Sequence, residues 1–421
     1  KTLYIVSSKS GGTAEVNAFL DAAWALAVEK LGGKAGQQFI AITDPGTSLE
    51  AAARERKFRA IYSGDATIGG RYSALSAFGL IPAGLMGLDS SLVRSAQAMQ
   101  RECAPALPAE RNPGLVLGAA LAAGADAGWD KLCVLADSQI ESLGSWMEQL
   151  VAESSGKQGK GIVPVDIEPR IEPTALSRDR LFVYLRLNGE QDVFARSLAA
   201  AGHPLITLDL TQAADLGGEF YRWEVATALA CALMGVNAFD QPDVQDNKNR
   251  TVAKIKEYQT TGGLVEGEVI WEKDGVKVYG QRFNGLEGCK NPGEVARAFA
   301  GLAQEGDYIA INAYLPRRPA ILAGLQRLRA TLLGMEGRAT TLGFGPRFLH
   351  STGQLHKGGA DNGLFLQISA EPEFRLPIPG QEMDFATLER AQALGDLEAL
   401  LSRGRRAIRI HLPKPDPRLL D

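Results

Sequence analysis

The chain has 421 residues, of which 45% are apolar and 22% are charged, a composition typical of a globular protein long enough for two or more domains. Its 45 basic and 49 acidic residues give a net charge of −4, which argues against the basic excess that favours nucleic acid or anionic membranes. The longest apolar runs, such as residues 225–239, are shorter than the ~20 residues of a membrane-spanning helix. We therefore expect neither a nucleic-acid nor a membrane partner.

The cysteines and histidines form no metal-binding pattern. No two cysteines stand in a Cys-x-x-Cys spacing; they are Cys103, Cys133, Cys231 and Cys289. Isolated cysteines of this kind are typical of reduced, buried thiols, and they favour a cytoplasmic protein. The four histidines also lack ligand spacing, so we expect no structural metal.

Apolar, β-rich runs alternate with helical patterns over the first 250 residues. The predicted strands, in chain order, are residues 3–6, 39–43, 59–63, 131–136, 161–166, 180–187 and 204–210. Helical patterns fall between many of them, at residues 13–30, 72–86, 140–153 and 218–236. This alternation predicts parallel sheets with helices on both faces.

The pattern changes after residue 250. Residues 268–281 alternate in polarity around Asp274–Gly275, which predicts a β-hairpin. The strand–helix alternation then resumes, with predicted strands at residues 308–314, 340–345, 363–369 and 407–413. Helices are predicted near residues 318–333 and 385–403.

These elements predict the α/β class, with two three-layer αβα units, mainly parallel sheets and a small β-hairpin insertion. We place the first unit at residues 1–113 and the second at residues 114–250. Residues 251–300 are interpreted as a linker with the hairpin, and residues 301–421 as a C-terminal αβ segment that completes the second unit.

The loop after the first predicted strand is rich in hydroxyls and glycine. Residues 8–13 read Ser-Lys-Ser-Gly-Gly-Thr and precede a helical pattern. Free amides and the dipole at a helix N-terminus attract anions, and glycines let the backbone approach a ligand closely. An ordinary capped helix, with Thr13 or Ser10 as the cap, would have the same residues. The spacing is not that of a Walker loop.

A second glycine-rich helix start follows the third predicted strand. Gly69 and Gly70 are followed by Arg71 and a helical pattern of small and apolar residues. The amides of such a diglycine can face a ligand, and Arg71 can meet an anionic oxygen. A glycine turn with a surface arginine is the alternative. Two such starts in one predicted unit favour a ligand site.

A carboxylate motif lies in the helical pattern that ends near residue 153. Gln149 and Glu153 are four residues apart and therefore share one helix face. The stretch Ser-Ser-Gly-Lys follows at residues 154–157. A glutamate here suits a general base, although on pattern alone it reads as an ordinary exposed residue.

An apolar helix then runs into Phe-Asp-Gln-Pro at residues 239–242. Pro242 can begin a new helix at its first position. Gln241 and Lys248 are seven residues apart, so they face the same way two turns on. The alternative is a solvated helix start.

Together these motifs resemble the glucose-6-phosphate isomerase family, particularly the phosphoglucose isomerase part of bifunctional transaldolase/phosphoglucose isomerase proteins. Residues 8–13 resemble the sugar-phosphate loop of the sugar isomerase (SIS) superfamily. Residues 68–79 and 239–248 resemble the two family signatures, and residues 149–157 resemble the family's Gln-x-x-x-Glu-Ser-Asn-Gly-Lys segment. Residues 344–359 resemble the bifunctional subgroup.

The resemblance implies a phosphate site for a small-molecule sugar phosphate. It implies that Ser8, Ser10 and Thr13 hold the phosphate, with Lys9 contributing through its backbone or its charge. Gln149 would assist in binding the phosphate.

The resemblance also implies a catalytic set that needs no cofactor. Glu153 would move a proton between C1 and C2 through an enediolate, which Arg71 would stabilise with the amide of Gly70 nearby. Aldose–ketose isomerisation indeed needs one carboxylate to carry a proton and one fixed cation beside the developing oxyanion. Lys248 and Gln241 match the second signature, whose lysine assists ring opening.

The family's ring-opening histidine has no match in its usual place. His203 lies in that interval, but its surroundings do not fit. Residues 354–358 resemble the family's Gln-Leu-Ile-His-Gln-Gly segment, which makes His356 the first choice. His350 and a residue of a partner chain are the alternatives.

The resemblance further implies two SIS-type units, a homodimer and a transaldolase domain upstream of this chain. The family's glycine-rich segment before the phosphate loop is not found, so we expect the first unit to be incomplete at its N-terminus. A non-catalytic SIS-type sugar-phosphate sensor and a dual phosphoglucose/phosphomannose isomerase are the competing functions. A sensor needs the hydroxyl loop but no base.

Overall fold

The computed structural model describes residues 2–88 and 90–420. The chain divides into two compact units. The first comprises Lys1–Leu107, Ala214–Glu224 and Arg375–Thr387, and the second comprises Pro108–Ala213, Val225–Phe374 and Leu388–Asp421. The two short segments of the first unit therefore come from stretches that are far along the chain from its sheet.

The first unit is built on a three-stranded parallel sheet. Its strands are β1 (Tyr4–Ser7), β2 (Phe39–Thr43) and β3 (Ala60–Ser63), hydrogen-bonded in the order β1-β2-β3. Its first helices are α1 (Ala14–Leu31), α2 (Ser48–Glu55), α3 (Ala77–Leu85) and α4 (Ser91–Glu102). Because the strands are parallel, the three loops that follow them start from one edge of the sheet, where α/β proteins bind ligands.

Aromatic packing holds this sheet to its helices. Phe39 is fully buried on β2 and stacks on Tyr4 and Phe58, with ring centroids 4.7 and 5.0 Å away. Trp24 of α1 lies against the same ring at 5.5 Å. Such a buried aromatic cluster fixes the strand ends from which the loops depart.

The second unit contains a four-stranded parallel sheet in the order β5-β4-β6-β7. The elements of this part, in chain order, are α5 (Pro113–Asp126), β4 (Lys131–Ala136), α6 (Leu143–Ser155), β5 (Val163–Val165), β6 (Arg180–Arg186), α7 (Asp192–Ala200) and β7 (Leu205–Asp209). Two helices follow, α8 (Leu216–Met234) and α9 (Pro242–Thr261). The proline begins α9 at its first helical position, as predicted.

A six-stranded sheet in the order β11-β10-β12-β13-β9-β8 completes the second unit. Its strands are β8 (Val269–Lys273), β9 (Val276–Gly280), β10 (Tyr308–Tyr314), β11 (Ala339–Phe344), β12 (Gly363–Ala370) and β13 (Arg406–Leu412). The remaining helices are α10 (Pro292–Ala300), α11 (Pro319–Glu336), α12 (Gly353–Gly358) and α13 (Phe385–Ser402). The strands β10 to β13 pair in parallel, and β9 pairs antiparallel to β13.

The fold class predicted from the sequence is confirmed: the protein is α/β with mainly parallel sheets. The predicted hairpin is present, with Asp274 and Gly275 at φ values of 51° and 78°, the left-handed conformation that a tight two-residue turn needs. Its strand β9 extends the six-stranded sheet rather than standing apart. Within the described residues, no helix combines the length and apolar character needed to cross a membrane.

One predicted helix starts later than expected. The helical pattern at residues 72–86 becomes a 3₁₀ turn at Gly70–Tyr72, and α3 begins only at Ala77. The side chain of Ser76 accepts a hydrogen bond from the Phe78 amide and caps α3 there. Arg71 therefore lies on a turn before the helix and not on the helix itself.

Candidate active site

The hydroxyl loop, which we define as residues 8–13, leaves the end of β1 and enters α1. Ser8 is buried, and its Oγ lies 3.3 Å from Thr13 Oγ1. Thr13 is the N-cap residue of α1, yet its side chain makes no capping hydrogen bond. The Ser10 hydroxyl accepts from the Gly12 amide at 3.3 Å and does not cap the helix either. The ordinary capped-helix interpretation therefore fails, which favours the anion site.

Gly11 fixes the path of this loop. Its φ is 68°, and a Cβ there would lie 2.9 Å from both the Leu49 amide nitrogen and Ser48 Oγ. Ser48 also donates a hydrogen bond to the Gly11 carbonyl at 3.0 Å. Only glycine combines this conformation with this close approach, so the loop is seated on the start of α2.

Lys9 ties the loops of all three strands together. Its ammonium forms an ion pair with Asp44, which follows β2, and donates to the Ala66 carbonyl after β3 at 3.2 Å. The Lys9 carbonyl accepts from the Asp44 amide at 3.2 Å. Because Asp44 neutralises its charge, Lys9 is suited to hold the loops in place and to offer its backbone to an anion.

Arg71 is buried beside an open glycine. The guanidinium is 4% exposed and its central carbon lies 5.6 Å from the Tyr72 ring centroid. The turn is closed by Ser73, which donates to the Gly70 carbonyl at 2.6 Å. A Cβ on Gly70 would meet no atom within 4 Å. Gly70 therefore has open space beside its Cα, next to a buried cation.

Glu153 lies in the last turn of α6, where it is buried. Gln149, one turn earlier, donates from Nε2 to Glu153 Oε2 at 3.2 Å, as their shared helix face requires. The helix ends where Gly156 meets α12, so closely that a Cβ on Gly156 would overlap the backbone of Leu355. This close approach fixes the end of the helix that carries Glu153 against α12.

Gln354 joins three of the motifs found in the sequence. It is fully buried on α12 and donates from Nε2 to the Gly156 carbonyl at 3.0 Å and to Asp243 Oδ2 at 2.7 Å. Its Oε1 accepts from the Asp243 amide at 3.0 Å. The end of the Glu153 helix, the start of α9 and α12 are thereby locked together. The motifs contain Gln354 and Asp243, but sequence reasoning does not assign them this role.

Gln241 and Lys248 lie on the exposed side of α9. Gln241 is its N-cap residue and Lys248 stands two turns further on, and both side chains are exposed. Lys157, from the Glu153 motif, instead is buried and pairs with Asp240 at 2.9 Å. Of these two lysines, Lys248 is therefore the one that a ligand could reach.

His356 does not have the surroundings of a proton carrier. It is 2% exposed, and its ring centroid lies 4.9 Å from that of Phe365 and 6.1 Å from that of Phe348. Burial lowers the pKa of His356 well below its usual 6.5, and the charges of Lys357 and Arg405 act in the same direction. This packing favours His350 over His356 as the ring-opening group, and the choice of His356 stays a prediction.

His350 is the histidine of this stretch that remains accessible. It is the last residue of the 3₁₀ turn Arg347–His350, and it is partly exposed. We call residues 344–359, which contain both histidines, the histidine segment. Local sequence offers no means of ranking the two, because the difference comes from the strand β12 that buries His356.

The two units each carry part of the predicted set. The hydroxyl loop, Gly70 and Arg71 belong to the first unit, and the remaining predicted residues belong to the second. Those of the second unit are Gln149, Glu153, Gln241, Lys248 and His356, with the alternative His350. The first unit thus holds a hydroxyl loop and a buried cation, and the second holds a buried carboxylate and a partly exposed histidine. These are the residue types that an aldose–ketose isomerase for phosphorylated sugars requires.

The phosphoglucose isomerase family matches residues 1–165 of this chain. A glucose-6-phosphate isomerase from Rubrobacter xylanophilus is 33% identical over 298 residues, which cover 59% of this chain and 68% of that protein. The chain belongs to the glucose-6-phosphate isomerase family.

More distant relatives agree with this assignment. A glucose-6-phosphate isomerase from a Synechococcus strain is 28% identical over 305 residues, which span 61% of this chain and 56% of that protein. A hypothetical protein from Thermus thermophilus, whose crystal structure is known, covers 62% of this chain and 72% of its own, with a TM-score of 0.52 and 24% identity. That structure supports the fold alone.

Proposed function

We propose that this chain interconverts glucose 6-phosphate and fructose 6-phosphate through an enediolate. The observation that carries the proposal is the buried Glu153 carboxylate, held by Gln149 at 3.2 Å. In the forward direction, Glu153 removes the proton from C2 of the open-chain aldose and returns a proton to C1. The hydroxyl proton moves from O2 to O1. C1 is reduced as C2 is oxidised, so no external electron donor or acceptor is needed.

Arg71 is the group proposed to stabilise the enediolate oxygens. A buried guanidinium is a fixed positive charge that needs no rearrangement as the negative charge develops. The Gly70 amide is the proposed second donor at the same oxygen, and the open space beside the Gly70 Cα supports this. Removing one such donor from an enzyme typically lowers kcat by ~10²- to 10³-fold.

The hydroxyl loop is the proposed phosphate site. Ser8 and Thr13 place two hydroxyls 3.3 Å apart at the start of α1, and Ser10 adds an exposed third. Because Asp44 already neutralises Lys9, the grip on the phosphate would come from hydroxyls, amides and the helix dipole. The loop would therefore bind the phosphate without a strong point charge.

His350 is the proposed ring-opening group, with Lys248 as its assistant. The cyclic sugar must lose a proton from O1 and gain one on O5 before C2 can be deprotonated. A partly exposed histidine side chain can be reached by the sugar and can act as an acid–base group. The burial of His356 favours His350 for this role.

The first experiment distinguishes an isomerase from a sensor. Fructose 6-phosphate is supplied, and glucose 6-phosphate is detected through a coupled dehydrogenase. We expect turnover by the natural chain and a loss of ~10³-fold or more for Glu153→Gln. 6-Phosphogluconate, an acyclic anion of similar size, should bind both proteins within threefold.

The matched control is Glu141→Gln, which removes an exposed acid just before α6. It should keep its activity within twofold. A natural chain that binds 6-phosphogluconate but never turns over would identify the sensor instead. Near-normal activity of Glu153→Gln would remove Glu153 as the base.

Finer parts of the assignment are also proposals. The likeness of residues 344–359 to the bifunctional subgroup supports a natural fusion to transaldolase, and the family resemblance supports SIS-type units, a homodimer and a cytoplasmic enzyme. The enediolate gives mannose 6-phosphate when C2 is protonated on its other face. Incubation with mannose 6-phosphate and measurement of fructose 6-phosphate would test the dual activity.

A further inference from the structure

One acid on α6 remains unexplained by the proposed chemistry. Glu148 is 7% exposed, and it lies about 140° around the helix from Glu153. Its carboxylate therefore faces a different neighbour from the proposed base. That neighbour is the turn which ends in His350.

Glu148 contacts both ends of this turn, the hydroxyl of Ser351 at one end and the guanidinium of Arg347 at the other. Its Oε1 accepts from Ser351 Oγ at 3.1 Å and lies 3.5 Å from an Arg347 terminal nitrogen. The other terminal nitrogen of Arg347 donates to the Ser145 carbonyl at 3.0 Å. His350 lies between the two anchored residues. Its backbone is thus fixed to the same helix that carries Glu153.

The inside of the turn is fixed by packing. Phe348 is fully buried against Tyr314 and Leu349, and its carbonyl accepts from the Ser351 amide at 3.0 Å. Phe348 thus secures the buried side of the turn, while Glu148 secures its two ends. Between these fixed points, the backbone at His350 has little freedom.

The acid is costly for stability, which suggests a reason other than stability for its presence. Burial raises the pKa of Glu148, and the charge of Arg347 and the bond from Ser351 only oppose this effect. Arg347 is itself half exposed, so the pair is not a strongly desolvated one. An apolar side chain of similar size is often as stable as a buried ion pair, or more so.

We propose that Glu148 is a positioning residue, which holds the turn bearing His350 in register with the helix bearing Glu153. The inference rests on the proposed function, because it requires that His350 takes part in ring opening. The proposal assigns Glu148 to ring opening and not to the proton transfer between C1 and C2. Anomers of glucose 6-phosphate interconvert by ring opening and closing alone, whereas isomerisation also needs Glu153.

The test compares these two rates in the full chain. Exchange NMR measures α/β interconversion of glucose 6-phosphate above the uncatalysed rate, and the coupled assay measures isomerisation. Glu148→Leu should slow both about 10- to 100-fold, the effect of a small misplacement of a reacting group. Glu148→Gln keeps an acceptor for Ser351 and should lose less. Glu153→Gln should abolish isomerisation and keep anomer exchange within threefold.

Glu141→Leu is the matched control, since it makes the same change at an exposed acid next to α6. It should leave both rates within twofold. Binding of 6-phosphogluconate should be unchanged by Glu148→Leu, which a general collapse of the site would not allow. If Glu148→Leu does not fold, Ser351→Ala carries the test and should slow anomer exchange at least threefold.

Two outcomes overturn the proposal while leaving the isomerase intact. The first is that Glu148→Leu, or Ser351→Ala in its place, catalyses anomer exchange at the natural rate. The second is that the same variant loses isomerisation but keeps anomer exchange. A natural chain that catalyses neither reaction would instead overturn the proposed function, and this inference with it.

Discussion

The hydroxyl loop and the histidine segment are both motif-bearing stretches, but their side chains are placed in different ways. In the loop, Ser8 and Thr13 lie five residues apart and meet at 3.3 Å across the turn that Gly11 permits, and Ser48 of α2 holds that turn in place. In the histidine segment, elements outside the segment decide the placement. His356 packs against Phe365 of β12, and Ser351, next to His350, donates to Glu148 of α6.

The difference shows where a motif can be used directly. In a short loop at a helix start, the glycines and the residue at the cap position restrict the backbone conformation. A pair of histidines does not, because their burial depends on which strand and helix pack over them. Substitutions in the two regions should therefore have different kinds of effect.

The largest contrast is expected within the histidine segment. His350→Ala should lower kcat by ~10²-fold, the usual contribution of a general acid–base group. His356→Leu should keep kcat within threefold, because the buried ring touches aromatic side chains and not the substrate. Steady-state kinetics with fructose 6-phosphate measures both. The reverse order of effects would restore His356 as the ring-opening residue.

A smaller contrast is expected between two threonines of the first unit. Thr13→Ala should raise KM about tenfold with little change in kcat, because it removes one hydrogen bond to a charged phosphate. It should lower the free energy of unfolding by less than Thr47→Ala does, because Thr13 makes no capping bond and loses only its 3.3 Å contact with Ser8. Thr47→Ala should lower that free energy by ~1 kcal/mol, because Thr47 caps α2 by accepting from the Glu50 amide at 3.2 Å.

Denaturant titrations and the coupled assay provide both measurements. If Thr13→Ala destabilised the protein as much as Thr47→Ala and left KM unchanged, the hydroxyl loop would be a capped turn and not a phosphate site.

A further contrast concerns pH. The pKa of His356 lies well below 6.5 in the folded protein, so below pH 6.5 the unfolded chain binds a proton that the folded chain does not. This residue should therefore contribute stability above pH 6.5 that is lost as the pH falls, by up to ~1.4 kcal/mol per pH unit. His356→Leu should lose less stability between pH 6.5 and 5 than the natural chain. If the free energies of unfolding of the two proteins changed equally between pH 6.5 and 5, His356 would not be buried as described.

Much of the scaffold could be predicted from local pattern. The runs at residues 39–43 and 308–314 form β2 and β10 with the predicted bounds, because continuous apolar residues are what a strand covered on both faces requires. Asp274–Gly275 likewise specifies its own turn. The Gln149–Glu153 contact follows from helical spacing alone.

Other features depend on long-range packing and could not be read from the chain. Nothing local indicates that β9 pairs with β13, or that Gln354 reaches both Gly156 and Asp243. The burial of His356 and the contact of Glu148 with Ser351 are of the same kind. Each joins residues that lie more than one hundred positions apart or depends on a strand added later in the chain.

The central claim is that Glu153 carries a proton between C1 and C2. Its most direct test is the conversion of fructose 6-phosphate in D₂O, followed by NMR of the product. The natural chain should form glucose 6-phosphate in which a fraction of the C2 positions carries deuterium, from enediolates whose proton on Glu153 exchanged with solvent. Glu153→Gln should form no product, labelled or unlabelled, while it still binds 6-phosphogluconate. Product from Glu153→Gln at the natural rate would contradict the account.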